Sequence, residues 1–284
     1  MNDIISEAVT PTTDIRLTKA TEISNEAYRD YPAINQSFIK LVNEHGYNMA
    51  VKLAAERDDP SDDMLIDSVF HAIMADDTSK YMRVPEMDRH TKEGKAQYDS
   101  MLSLAHDSGK TMVQEHLWDK AESLTAGAKA SEFTFVPGTG DQRRELSIIA
   151  DAEVYRDNKL LFTIPIKGQI DMLHIIYEGD SVLVDYKTVP TSSFEAVRRK
   201  ARDSEWPLQA FTYVMLAEGM LRDKVAGVLY LVSGKDTGAT RAYSFNGESL
   251  AFGRTSLIRG LIRIHNQRNN PTMRDDVYFG VSTL

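Results

Sequence analysis

Read for the spacing of its apolar positions, the chain divides near residue 131 into a helical part and a part where strands and helices mix. Residues 1–30 are polar and aperiodic and are expected to form an N-terminal arm. From Tyr31 the apolar positions fall at helical spacing, with Ile34, Phe38, Leu41 and Val42 on one face. Ser61 suits the N-cap of a second helix, with Asp62 and Asp63 in its first turn, where negative charge complements the helix dipole. That helix carries Leu65, Val69, Ala72 and Ile73 on its apolar side, and Met64, Ser68 and His71 on a neighbouring stripe. Helices are also predicted over 91–107 and 112–129, parted by Ser108-Gly109, with Thr111 and Gln114 at capping-box spacing.

Beyond Ser131 the period shortens. Segments 145–155, 160–177 and 181–189 are rich in Ile, Val, Leu and Tyr, and turn signals at Asp157-Asn158 and Glu178-Gly179-Asp180 divide them. Helices return at 194–203 and from Pro207 to Gly219, followed by strands over 225–232 and 239–245 and a last helix over 248–267. No repeat or linker interrupts this, so the expected organisation is the arm over 1–30 and a single α/β domain over 31–284.

Composition narrows the chemistry. The 284 residues contain no cysteine, which excludes disulfides, zinc–thiolate sites, iron–sulfur clusters and cysteine nucleophiles. No apolar run reaches the roughly 18 residues of a membrane span, and Met1-Asn2-Asp3-Ile4 does not open a signal peptide, so a cytoplasmic protein without a membrane partner is expected. The net charge of −9 argues against a generic DNA-coating protein. Ser108-Gly109-Lys110-Thr111 ends like a phosphate-binding loop, but Leu104 stands where that loop needs glycine, and the stretch reads as a turn.

The informative region is Gly168-Gln169-Ile170-Asp171 followed by Val184-Asp185-Tyr186-Lys187. A hairpin centred on Glu178 sets Asp171 directly across from Asp185, with Cβ atoms about 5 Å apart, and Lys187 on the same face. Two carboxylates that close repel unless positive charge lies between them. Lys187 supplies one charge, and Mg²⁺ or Mn²⁺ suits the remaining hard oxygens. A structural salt bridge among the three residues is an equally good reading of the triplet alone. Arg198, Arg199, Lys200 and Arg202 cluster after this region, and Arg254, Arg259, Arg263 and Arg268 recur along the last helix; both sets suit a phosphate backbone.

Gly168-x-x-Asp171, Asp185-x-Lys187 and Gln209-x-x-x-Tyr213, preceded by His71 on a helix, resemble the PD-(D/E)xK nucleases of the RecB-like branch. The stretches Asp88-Arg89-His90-Thr91-Lys92-Glu93-Gly94-Lys95 to Gly109-Lys110-Thr111, Ser37-Phe38-Ile39-Lys40 and Glu145-Leu146-Ser147-Ile148 are more narrowly similar to the RecE-type exodeoxyribonuclease VIII domain. The resemblance spans roughly 31–270. It implies an α/β fold of the restriction-endonuclease-like type: a mixed central sheet flanked by helices, with a helical N-terminal portion.

The roles it implies are specific. Asp171, Asp185, His71 and the Tyr186 carbonyl would bind Mg²⁺ or Mn²⁺, and Lys187 would position the attacking water. Gln209, Tyr213, Arg198, Arg199 and Arg202 would contact DNA, and Glu145 could add a further carboxylate. The family has a glycine shortly before its histidine, where Asp67 and Ser68 stand here. The implied activity is ATP-independent 5′ to 3′ exonuclease action on double-stranded DNA ends, leaving 3′ tails for recombination. A single-strand annealing protein as partner, a homo-oligomer and a phage origin in a bacterial host go with it. The rival readings are another nuclease of the superfamily, endonucleolytic or single-strand-specific, and a non-catalytic DNA-binding protein that keeps the fold.

Overall fold

In the computed structural model, which describes residues 5–10, 12–56, 60–135, 140–176 and 181–271, the predicted strands form five of the seven strands of a mixed sheet. In chain order the elements begin with β1 (Thr13–Ile23), α1 (Asn25–Asp30), β2 (Ile34–Asn35), α2 (Gln36–His45), α3 (Tyr47–Ala55) and α4 (Asp62–Met74). Then come β3 (Tyr81–Val84), α5 (Lys92–Asp107), β4 (Thr111–Gln114), α6 (Glu115–Phe135), β5 (Asp141–Arg156), β6 (Lys159–Ile175) and β7 (Ser181–Val189). The last are α7 (Phe194–Asp203), α8 (Trp206–Leu221), β8 (Val225–Gly234), β9 (Thr240–Ser244) and α9 (Gly247–Asn269). The main sheet runs β1-β5-β6-β7-β8-β9, with β2 beside β6, and β3 and β4 pair separately. Only β2–β6, β7–β8 and β3–β4 are parallel; α7 and α8 form the crossover that the β7–β8 pair requires.

Local chemistry accounts for most of the boundaries. Asp157 and Asn158, both at positive φ (51° and 61°), make the two-residue turn between Arg156 and Lys159, a conformation these two residue types tolerate. Ser61 caps α4 by accepting a hydrogen bond from Met64 N. Gly109, at φ 65°, closes α5, and Lys110 N bonds back to Ala105 O, so Ser108–Lys110 is a helix-ending turn that leads into β4.

Several expectations are corrected. The stretch read as an arm contributes β1, an edge strand antiparallel to β5. An edge strand buries few side chains (here Thr13 and Ile15, with Leu17 half-buried), so its period is faint in sequence. The helix expected from Tyr31 starts at Gln36, because the Asn35 side chain accepts from Phe38 N and fixes the entry there. Thr111 and Gln114 do not cap a helix; they belong to β4, and α6 begins one residue later. Gly219 lies inside α8, where the missing Cβ admits Ala20 of β1, and the left-handed turn comes at Arg222.

Helices cover both faces of the sheet. One core joins the sheet to α8, α9 and α2 through residues such as Ile166, Leu216, Leu261 and Ile39. The other packs α4 and α6 on it through Phe70, Leu124, Met172, Val184 and Tyr186. Where α8 and α9 meet, a Cβ on Gly253 would lie 2.0 Å from the carbonyl oxygen of Pro207. Backbone cannot swing aside as a side chain can. Gly253→Ala should therefore lower stability by about 1–3 kcal/mol, read as a lower denaturant midpoint. Gly247→Ala, at the open start of the same helix with nothing within 4 Å, should leave the midpoint unchanged or raise it.

Candidate active site

Strands β6 and β7 pair Met172 with Val184, Leu173 with Leu183 and His174 with Val182, the register expected from the sequence. The turn at Glu178-Gly179-Asp180 lies outside the described residues. Continued one step, this register sets Asp171 opposite Asp185. There the backbone ladder stops, and Tyr186 N instead donates to Asp171 Oδ2 at 2.8 Å. Alternation along β7 sends Val184 and Tyr186 toward α4 and α6 and leaves Asp185 and Lys187 on the opposite face. The Asp185 side chain is 1 % exposed, and Lys187 Nζ stands 2.5 Å from its Oδ2.

Helix α4 brings His71 to this point. Ile66, Val69, Phe70 and Met74 bury the helix against α6 and the sheet, which leaves His71 half-buried at the boundary. Its Nδ1 lies 3.4 Å from Asp171 Oδ2, and its ring meets those of Phe70 and Tyr186 edge-on. Asp67 and Ser68 do not disturb the packing. Asp67 accepts a hydrogen bond from Thr188 Oγ1 and pairs with Lys235 at 2.8 Å, tying α4 to the ends of β7 and β8.

Glu145 joins them through an unusual backbone. The residues on either side keep the β5–β6 register (Arg144 with Met172, Leu146 with Ile170), whereas Glu145 takes φ 50° and pairs with neither strand. A left-handed conformation in a residue with a side chain costs on the order of 1–3 kcal/mol and persists only when its surroundings hold it. The result is a group of His71, Glu145 and Asp171 whose ligand atoms all lie within 4.8 Å of one another. Asp185 is not in that group; it is drawn to Lys187 instead.

The electrostatics follow from burial and pairing. Burial, with the nearby Asp171 charge adding to it, pushes the Asp185 carboxyl up to about 6 against the opposing pull of Lys187. Burial works the same way on Asp171, yet His71, Lys187 and the Tyr186 N–H together hold it below the usual carboxylate range. Burial opposes the His71 imidazolium, but Asp171 outweighs it and raises that group. Lys187 is likewise raised, by Asp185 and Asp171, in spite of burial. Burial and the Asp171 charge raise Glu145.

A divalent cation fits these donors. Among the described residues Lys187 is the one donor against the buried Asp185 carboxylate, which leaves it under-satisfied for a buried charge. Beside it stand two more carboxylates and an imidazole, the oxygen-rich set that Mg²⁺ or Mn²⁺ accepts.

Gln209 and Tyr213 are both buried, and Gln209 Nε2 donates to the Tyr213 hydroxyl at 3.1 Å. Gly168 explains how α8 comes this near, since a Cβ there would lie 2.6 Å from Leu216 and 3.1 Å from the Tyr213 ring. Gln209 shares a cleft of about 450 Å³ with Lys187, Ser37 and Lys40. Arg198, Arg199, Lys200 and Arg202 are exposed on α7, whose Val197 and Ala201 face inward. Two arginines of α9 are not available as a phosphate path. Arg254 donates to Thr13 O and pairs with Asp14, and Arg263 pairs with Glu7 and donates to Asn43 O, all holding the N-terminal segments.

One support was not foreseen from sequence. Tyr186 OH donates to Glu132 at 2.6 Å, and Arg144 bonds Glu132 (2.6 Å), the Tyr186 hydroxyl (2.9 Å) and Met74 O. Its only trace in the sequence is Arg144 beside Glu145, uninformative until the strands are paired.

A profile of the PD-(D/E)XK nuclease superfamily matches residues 47–271, most of the chain, and the chain belongs to that superfamily. Its members are nucleases, and they generally use divalent metal ions. No curated protein shows significant sequence similarity to the chain. Among solved structures, the crystal structure of SSO0001 is similar at 11 % identity, covering 70 % of this chain and 85 % of that one with a TM-score of 0.30, too loose a superposition to carry an argument.

The buried charge sets a pH dependence. The Asp185 carboxyl titrates at about 6 in the fold against an ordinary 3.8, so between those values the folded state binds its proton more tightly than the unfolded chain does. Metal-free stability should then fall as pH rises from about 4 to about 6. Asp185→Asn removes that loss: in EDTA it should melt higher than wild type at pH 7.5 and close to it near pH 4. Equal melting temperatures at pH 7.5 would contradict the buried-charge account. Mg²⁺ should raise the melting temperature of the wild type alone.

Proposed function

We propose that the chain is a Mg²⁺-dependent, ATP-independent exodeoxyribonuclease that degrades linear duplex DNA from its ends, 5′ to 3′, leaving 3′ single-stranded tails. The observation that carries the reading is the meeting of Asp185, 1 % exposed and 2.5 Å from Lys187, with the His71–Glu145–Asp171 group, whose ligand atoms lie within 4.8 Å of one another. A structural salt bridge pairs one carboxylate with one cation; here Glu145, Asp171 and Asp185 share His71 and Lys187. The RecE-type segments around Ser37, Asp88 and Glu145 support the narrower choice of an end-directed enzyme. On the same basis Mn²⁺ is the alternative ion, and the expected setting is recombination in a bacterial host, as a homo-oligomer partnered by a single-strand annealing protein.

In this reading Asp171, Asp185, His71 and the Tyr186 carbonyl hold the metal, with Glu145 as a further carboxylate. The bound ion would supply an acidified water and stabilise charge on the phosphate. Lys187, kept protonated by the two aspartates, acts as a point charge and hydrogen-bond donor to the attacking water and to the phosphate oxygens, not as a base. Arg198, Arg199 and Arg202 guide the phosphate backbone from α7, and Gln209 and Tyr213 lie beside the strand being cut. Contacts of this kind do not read base edges, so sequence preference should be slight.

End-labelled linear duplex and covalently closed circular duplex, each with and without Mg²⁺, test the proposal. The linear form should be degraded only with the metal, and the circle should survive. Rapid cutting of the circle into fragments would assign an endonuclease instead, and cleavage in EDTA would overturn the metal site. Asp185→Ala and Asp171→Asn should abolish cleavage. Lys187→Ala should still bind DNA but turn over far more slowly, because its charge matters most as negative charge develops. A chain with both Arg198 and Arg202 replaced by Ala should bind duplex more weakly, with the slope of log affinity against log salt reduced by about 1.8, two phosphate contacts' worth.

A further inference from the structure

A groove of about 690 Å³ opens between α7, the start of α8, β9 and the start of α9, on the far side of a thin wall from Lys187. Two phenylalanines stand at its mouth with more than half their surface in solvent: Phe194 at 57 % and Phe252 at 55 %. Singly exposed apolar side chains are ordinary, but a contiguous apolar patch lining a groove marks a binding surface. Tyr243 lies 6.4 Å from Phe194, its ring inclined by 28°, and extends the apolar surface. Trp206 and Tyr230, stacked at 5.4 Å and only 5° from parallel, form the floor.

The floor links the groove to the candidate active site. Lys187 Nζ lies 6.0 Å from the Tyr230 ring centroid, and Trp206 also lines the cleft that holds Lys187 and Gln209. The rim is basic. Arg198 and Arg202, one helical turn apart, both line the groove, and among the described residues no carboxylate pairs with Arg198. Arg202 makes an exposed pair with Asp203. Glu248 is the one acidic residue in the lining, and Glu195 stands beside the arginines on α7. Flat apolar surfaces next to guanidinium groups, in a chain of net charge −9, match a ligand that carries planar rings on an anionic backbone. In a duplex those rings are stacked inside and out of reach; in a single strand they are exposed.

We propose that this groove binds the unpaired bases of single-stranded DNA next to the cutting site, with Phe194 and Phe252 as stacking surfaces and Arg198 and Arg202 against the phosphates. The proposal rests on the nuclease reading above and adds to it a place where a strand is held once it has left the duplex. Stacking on aromatic side chains is tolerant of sequence, so the groove would grip any strand.

The test uses the full chain in EDTA, where no cleavage occurs, and measures fluorescence anisotropy of a short labelled mixed-sequence oligonucleotide. An abasic strand of the same length carries the phosphates without the bases. Wild type should prefer the base-bearing strand by on the order of tenfold for each stacked base. Replacing Phe194 and Phe252 together with Ala should bring affinity for that strand down to the abasic level, and Phe252→Trp should keep the preference. A wild type without preference, or a double variant that retains it, would overturn the proposal and leave the groove to a protein partner. Because the measurement needs no metal and no cleavage, its failure is separate from a failure of the linear-duplex assay.

Discussion

Burial works to raise both Asp171 and Asp185, yet the two respond differently because their neighbours differ. Asp171 has an imidazole, a backbone N–H and the Lys187 charge around it, and it stays ionised. Asp185 has the Lys187 ammonium and, among the described residues, no second donor. The elements around the β6–β7 pair hold both carboxylates in place. Tyr186 is fixed by Glu132 and Arg144 on one side of the strand while its backbone N–H holds Asp171. The last turns of α6 are thereby coupled to Asp171 through one tyrosine. On the other face Gly168 lets α8 lie close enough for Tyr213 and Gln209 to bond each other beneath the cleft.

Much of this was legible in the chain. Asp157-Asn158 announced a two-residue turn, and the apolar runs on either side of Glu178 fixed the register that places Asp171 opposite Asp185. Carboxylates in an apolar strand are costly, which made the triplet conspicuous. What sequence concealed falls into two kinds. Strands β1, β3 and β4 are short or lie at an edge and bury few residues, so their alternation is weak and helix-like readings compete. The role of Glu145 depends on a positive φ that no composition signal predicts for glutamate, and the Glu132–Arg144–Tyr186 network joins residues from three elements whose meeting only the fold reveals.

The arginines show the same division. Those on α7 are exposed beside buried Val197 and Ala201, as an amphipathic helix predicts. Arg254 and Arg263 recur along α9 in the same way, yet they bond Asp14 and Glu7, residues some 240 and 256 positions away in the chain. Spacing finds the face of a helix. It does not say whether solvent or another segment lies against that face.

Strand β1 also bears on how the molecule keeps to itself. It pairs with β5 from Ser147 to Arg156, and its register with β5 shifts between Thr18 and Thr21, where Lys19 takes φ 54° and reaches Asp151. A broken strand bearing an outward lysine is a poor template for another sheet. The β5 strand beneath is long, with Ile148, Ala150, Ala152 and Val154 alternating along it. A chain trimmed of residues 13–23 would keep every proposed metal ligand and still present that strand's unpaired backbone to solvent, inviting edge-to-edge aggregation. The N-terminal segment thus guards solubility at a distance from the chemistry.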